Sequence, residues 1–198
     1  MNSEDAFKDL LCVKGILDKL GVKFFLFQGT CLGAYRNKDF IEYDGDVDLG
    51  IFGEEHKDTI EKLMDKEGFM PSLAAPRAIT AKRNVIFNIM FFTEEDDEFV
   101  SYAVDECLTP LWCFPSRFGK LKEIEFKGEK FLVPSPTEEY LEWTYGKDWR
   151  EPIKGKSAQD YWNIHPEKVA KIIIKKYGNK ETPNHPKVQE AINKIKNG

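Results

Sequence analysis

Phe25-Leu26-Phe27-Gln28-Gly29-Thr30-Cys31-Leu32-Gly33-Ala34-Tyr35-Arg36, followed by Tyr43-Asp44-Gly45-Asp46-Val47-Asp48-Leu49-Gly50-Ile51, is the stretch that decides the fold. It reads as an apolar strand, a Gly-Thr turn, a short helix, and a second strand that opens with two acids one residue apart. Strand side chains alternate faces, so Asp46 and Asp48 share a face while Val47 enters the opposite layer. Two adjacent carboxylates repel unless a cation lies between them or a proton is shared. A divalent metal is the natural occupant at neutral pH, and a Gly-Thr turn beside it suits a phosphorylated substrate.

The flanking sequence supplies more of the site. Gly29 lets the backbone approach a ligand closely, and backbone N–H groups there, with the Thr30 hydroxyl, can cradle a phosphate. Gly33 lets the short helix pack tightly. Arg36 is a bidentate candidate for phosphate neutralisation, with Lys38 a weaker one. Asp44 adds a third carboxylate, which either turns toward the metal or caps the turn at Gly45. Each piece alone has a plain alternative, since a single acid-x-acid pair is commonly a solvated turn. The combination in an apolar context is what carries the reading.

Outward from this stretch, Ser3 is expected to cap a helix running to about Leu20, with Gly21 as its stop. Val22–Phe27 and Asp46–Phe52 read as strands, Thr30–Asn37 as a short helix, and Glu54–Lys66 as an amphipathic helix with Ile60, Leu63 and Met64 inward. Val85–Phe92 is a third strand, with Glu94–Glu98 expected as a solvated acidic loop after it. Leu121–Val133 holds a hairpin turning at Lys127-Gly128. Ser135-x-x-Glu138 reads as a capping box with Pro136 opening a helix to Gly146. Two further helices are expected over Pro166–Tyr177 and Pro186–Lys196. The order predicts an α+β protein: a mixed sheet flanked by helices, with a helical C-terminal part.

Composition narrows the class. Hydrophobic residues make up 41% and aromatics 13% of 198 residues, which suffices for a proper core. The net charge of −5 argues against a dedicated nucleic-acid binder. From His165 onward eight lysines face three glutamates, a local excess read as a solvated helix face. The N-terminus has no apolar core of a secretory signal, and no run is long enough for a transmembrane helix. The four cysteines form no CxxC pair and read as free thiols, so a cytoplasmic location is expected.

The run Gly29-Thr30-Cys31-Leu32-Gly33-Ala34-Tyr35-Arg36, then Phe40-Ile41-Glu42-Tyr43-Asp44-Gly45-Asp46-Val47-Asp48-Leu49-Gly50, resembles the nucleotidyltransferase superfamily. More closely it resembles the LicD-type phosphotransferases, the group that includes fukutin and fukutin-related protein. A second stretch also matches: Val133-Pro134-Ser135-Pro136, Tyr140-Leu141, and Tyr145-Gly146-Lys147-Asp148-Trp149-Arg150-Glu151-Pro152. The resemblance implies a nucleotidyltransferase-type catalytic domain over residues 1–155, with 156–198 a helical extension packed on it. It implies Mg²⁺ (or Mn²⁺) dependence and transfer of a phospho-alcohol, such as phosphocholine or ribitol phosphate, from a CDP-linked donor to a glycan hydroxyl. Nucleotidyl transfer to a small hydroxylated acceptor is the alternative. Asp46 and Asp48, with Asp44, would hold metal, and Gly29-Thr30 would hold donor phosphates. Tyr145 and Trp149 would be either substrate contacts or core aromatics. The family's third acid falls at Asn88, an amide that can offer its carbonyl to a metal but cannot take a proton. Turnover therefore depends on whether Asp44 or Asp105 substitutes; a nucleotide-binding relative without turnover is the other outcome.

Overall fold

The computed structural model describes residues 1–75, 77–95, 97–102, 110–152 and 186–197, together with Ala170 and Ile174. Helix α1 (Ser3–Lys19) leads into β1 (Phe24–Leu26), then α2 (Gln28–Leu32), which continues as a π-helical turn over Gly33–Asn37. Strand β2 (Asp46–Phe52) and helix α3 (Lys57–Lys66) follow, then β3 (Met70–Ala75), β4 (Ala78–Lys82) and β5 (Ile86–Glu95). Strands β6 (Glu98–Tyr102) and β7 (Pro110–Pro115) extend the sheet beyond β5. The hairpin β8 (Lys120–Phe126) and β9 (Glu129–Ser135) forms a second sheet, followed by α4 (Thr137–Tyr145) and α5 (Pro186–Asn197). The predicted α+β class with a mixed sheet is the observed one.

The main sheet runs β1-β2-β5-β4-β3. Only β2 and β5 among its described pairs are parallel, with Asp48 opposite Asn88. That parallel step requires a crossover, supplied by α3 with the β3–β4 hairpin. Val47, Leu49, Phe87, Ile89, Ile79 and Ala81 alternate along the strands and are buried on one face. On the other face the far ends of the strands pack an aromatic cluster: Phe27 lies 5.1 Å from Phe92, and Phe92 lies 5.0 Å from Phe114. Fully burying such a side chain contributes about 1.5–3 kcal/mol. The near end of that face carries Asp46 and Asp48.

Several local expectations change. Asn2, not Ser3, caps α1, accepting from the Glu4 and Asp5 N–H groups, while the Ser3 hydroxyl donates to Asp39. Helix α3 begins three residues later than read. Glu94 and Glu95 lie in β5 and Glu98 in β6, so the acidic stretch is the end of a strand pair rather than a free loop. Strands β3 and β4 went unread. The Ser135–Glu138 capping box does not form: no side chain caps α4, Ser135 ends β9, and Glu138 turns to Tyr35 and Arg150. The hairpin register matches, with Ile124 opposite Phe131 and left-handed Lys127 and Gly128 at the turn. Of the expected helix 166–177 only Ala170 and Ile174 are described, both helical, clustering with Ala191 and Ile192 of α5. Asp105 and most of the proposed 156–198 extension lie outside the described residues. Among the described residues no helix is long and apolar enough to cross a membrane.

Candidate active site

The site is a row of side chains across three strands. Pairing sets Asp48 of β2 opposite Asn88 of β5, and Asn88 opposite Thr80 of β4, so all three share a face. Asp46 stands two residues before Asp48 on that face. The Asn88 side-chain Nδ2 donates to Asp46 Oδ2 at 2.8 Å and to Asp48 Oδ1 at 3.2 Å. The Thr80 hydroxyl lies 3.1 Å from Asn88 Oδ1 and donates to it. The amide thus bridges the two carboxylates.

The Gly-Thr turn closes one side of this row. The Phe27 N–H bonds to the Asp48 carbonyl at 3.0 Å, extending the β1–β2 ladder into the turn. Thr30 Oγ1 accepts from the Asp48 N–H at 2.8 Å, which locks α2 to β2 and leaves its own O–H to donate. A Cβ on Gly29 would meet the Asp44 carboxylate, which would have to swing away from the turn. Gln28, just before it, holds φ of 44°, a left-handed conformation uncommon outside glycine. Gly33 serves packing: a Cβ there would meet the Asp39 carbonyl at 2.7 Å.

Electrostatics mark the cluster as under-compensated. Burial, the charge of Asp46 and a shared hydrogen bond with Asp46 push the Asp44 carboxyl up to about 7. Burial and the charges of Asp46 and Asp44 push Asp48 well above the usual range, against the opposing hydrogen bonds from Asn88 and Gly29. Hard oxygen donors whose charges push Asp44 and Asp48 upward in this way fit a divalent cation. Among the described residues no three acids, histidines or cysteines converge as a ligand set. Asp44 shares a hydrogen bond with Asp46 and also accepts from the Gly45 N–H at 3.0 Å. The side chains joined directly across the strands are therefore the Asp46 and Asp48 carboxylates and the Asn88 amide.

The remaining expected site residues gather behind this row. Arg36 donates to the Trp149 carbonyl at 3.0 Å and to Asn37 at 2.6 Å, which turns its guanidinium to the second motif. Trp149 is buried, and its indole N–H finds no partner among the described residues. Tyr145 is buried too, its hydroxyl donating to Gln28 Oε1 at 3.5 Å. Glu138 bridges Tyr35 and Arg150. The two separated sequence motifs thus meet as one unit, the second buttressing the turn of the first.

Sequence reading missed Thr80, and also Lys82, which lies in the next row, opposite Ile86, whose other neighbour is Asp46. Both depend on β4. The alternation Ile79-x-Ala81 was the available signal.

Comparisons with known proteins bear on the family and the fold. The family model for the LicD/FKTN/FKRP nucleotidyltransferase domain matches residues 21–136. The chain is 34% identical over 145 residues to human ribitol-5-phosphate transferase FKTN, covering 70% of this chain and 32% of that protein. It is 27% identical over 134 residues to an uncharacterized protein of Rickettsia typhi, covering 65% and 43% respectively. The chain thus spans about a third of the length of the FKTN transferases it matches. Among solved structures, the lincomycin-bound lincosamide adenylyltransferase LnuA aligns with a TM-score of 0.52 at 14% identity, covering 79% of this chain and 94% of that one. At that identity the likeness is one of fold, and the fold is that of a nucleotidyltransferase.

Proposed function

This chain belongs to the LicD/FKTN/FKRP nucleotidyltransferase-domain family, and from that premise we propose that it is a divalent-metal-dependent transferase. It moves a phospho-alcohol group, phosphocholine- or ribitol-phosphate-like, from a CDP-linked donor to a glycan hydroxyl. The observation that carries the reading is the row Asp46, Asp48 and Asn88 beside the Gly29–Thr30 turn, all inside the matched segment. The FKTN relatives, named as ribitol-5-phosphate transferases, support the substrate class.

Asp46 and Asp48 hold the cation, Mg²⁺ or Mn²⁺, with Asp44 close by. Bound there, the cation supplies charge neutralisation for the transferring phosphoryl oxygens. Gly29 and the Thr30 hydroxyl hold donor phosphate. Asp44, hydrogen-bonded to Asp46, takes the proton of the acceptor hydroxyl in this reading, a role Asn88 cannot fill. Tyr145, Trp149 and Arg36 act by fixing the turn. Residues 1–155 form the catalytic unit in this reading, with 156–198 an extension of it.

Nucleotide binding to the full chain, measured by calorimetry with CDP-ribitol and CDP-choline, with and without Mn²⁺, tests the proposal. Binding that needs the cation and is lost in Asp46→Asn is the expected result. A folded protein that binds neither nucleotide with the cation present sinks it. Asn88 favours a second reading, a nucleotide-binding relative without turnover. Product mass decides: a phospho-alcohol adduct on the acceptor, a nucleotide adduct, or bound nucleotide with no product.

A further inference from the structure

We propose that Thr80 is a positioning residue whose hydroxyl lets the Asn88 amide serve the site in two orientations, as a donor between Asp46 and Asp48 when no cation is bound and as a carbonyl ligand when one is. The inference rests on the proposed cation site and goes beyond it by assigning Thr80 and the orientation of Asn88.

The argument starts from donor and acceptor inventories. In the metal-free site Nδ2 faces Asp46 and Asp48, donating at 2.8 and 3.2 Å to carboxylate oxygens that act as acceptors. An N–H pair between two carboxylates partly offsets their repulsion, standing where positive charge is wanted. It also excludes a cation, because an N–H group cannot ligate one. Turning the amide over exchanges Oδ1 and Nδ2 in place with almost no change in shape. The carbonyl oxygen then stands between the carboxylates as a third hard donor.

That turn strands the other end of the amide unless its partner changes role. The partner is Thr80 Oγ1, 3.1 Å from Asn88 Oδ1. A hydroxyl both donates and accepts through a single rotor. It donates to Oδ1 in the present orientation and accepts from Nδ2 in the other. Thr80 and Asn88 are direct cross-strand partners on half-buried central strands, so the pair cannot separate without breaking the β4–β5 ladder. A valine would keep the β-branched shape and lose both roles, and the loss weighs more on the cation-bound orientation, where it strands an N–H donor rather than a carbonyl acceptor. Partners of metal-ligating side chains usually affect affinity by about 10–100-fold.

The test is Mn²⁺ calorimetry on the full chain as wild type, Thr80→Val, Thr80→Ser, Asn88→Leu and Asn88→Asp. Thermal unfolding in chelator checks that each variant folds. The ¹⁵N side-chain resonances of Asn88 are followed during a Mg²⁺ titration. Wild type is expected to bind Mn²⁺, with about 10-fold or greater weakening in Thr80→Val and Asn88→Leu. Thr80→Ser should stay within about threefold, and the Asn88 side-chain resonances should shift with Mg²⁺. Thr80→Val binding Mn²⁺ as wild type does, or Asn88 resonances that ignore Mg²⁺, would overturn the inference while leaving the cation site standing. Wild type failing to bind while Asn88→Asp binds also overturns it, since Asn88 would then be a fixed barrier. If neither binds, the proposed function falls with it.

Discussion

Two sets of carboxylates near the same end of the sheet are compensated in opposite ways. Asp9 of α1 is fully buried and accepts from five groups: Arg83 Nε at 2.8 Å and Nη2 at 2.6 Å, the Asn84 N–H and Nδ2, each at 2.9 Å, and the Val85 N–H at 3.4 Å. Asp46, Asp48 and Asp44 face one another, with one amide and a few backbone N–H groups between them. The first arrangement joins a helix to the β4–β5 turn just before the strand that carries Asn88. The second leaves negative charge uncancelled. A buried acid surrounded by donors is a structural joint, whereas half-buried acids whose charges push Asp44 and Asp48 upward mark a site built to receive a cation.

Removing each acid in turn should separate the two kinds. Asp9→Ala leaves the Arg83 guanidinium and buried N–H groups without their acceptor, and is expected to cost about 3–5 kcal/mol, nearer the lower figure because Arg83 reaches solvent. For a chain of this size that lowers Tm by roughly 10 °C, read by calorimetry or circular dichroism. Asp46→Asn should do the reverse. Turnover, if the transferase reading holds, falls about 10³-fold, equivalent to about 4 kcal/mol in the barrier. The Tm in chelator should hold or rise, because Asp44 and Asp48 lose a repelling neighbour. Equal destabilisation by both substitutions would erase the distinction.

Gly33→Ala gives a smaller, intermediate effect. Its Cβ meets the Asp39 carbonyl at 2.7 Å and the Ile41 N–H group at 3.2 Å, so backbone must move. About 1–3 kcal/mol of destabilisation is expected. Because residues 39–41 lead into Asp44, Mn²⁺ affinity should weaken alongside stability. A loss of stability without loss of cation binding would show that the loop and the carboxylate row are independent.

How much of this was legible in the sequence follows from where the signal resides. The bounds of β2 and the shared face of Asp46 and Asp48 follow from period-two alternation, and the structure keeps them. The short helix after Gly29 was read as one piece; its change to a π-helical turn at Gly33 depends on tight packing against Asp39 and Ile41, which no local preference encodes. Strand β3 was missed because Met70–Ala75 holds Pro71 and two alanines, and its pairing with β4 is a tertiary effect that overrides propensity. Missing β3 and β4 hid Thr80. Asp9 was invisible for another reason: it flanks the apolar stripe of α1, and only the β4–β5 turn, distant in sequence, buries it. Arg36 also bonds the Trp149 carbonyl, a long-range contact that spacing cannot reveal.

The smallest expected effect, and the most direct reading of uncancelled charge, is the pH dependence of the metal-free protein. Asp44 is pushed up to about 7 by burial and by Asp46, while an unfolded aspartate titrates near its ordinary value of about 4. Between those values the folded chain holds a proton that the unfolded chain has released. Stability rises with pH only where the unfolded state binds more protons, so here it must fall. The contribution is fully present below about pH 4 and is lost as pH rises through about 7. Asp48, raised by burial and by the same neighbours, acts in the same direction. Thermal unfolding in chelator should therefore show a Tm that declines by a few degrees between pH 5 and pH 8. Asp44→Asn should flatten this decline, and saturating Mn²⁺ should remove it by supplying the charge the proton supplied. Asp9→Ala should lower the whole curve without changing this slope. A Tm that climbs across the same range would mean that the carboxylates of the row are compensated after all, and the contrast with Asp9 would lose its physical basis.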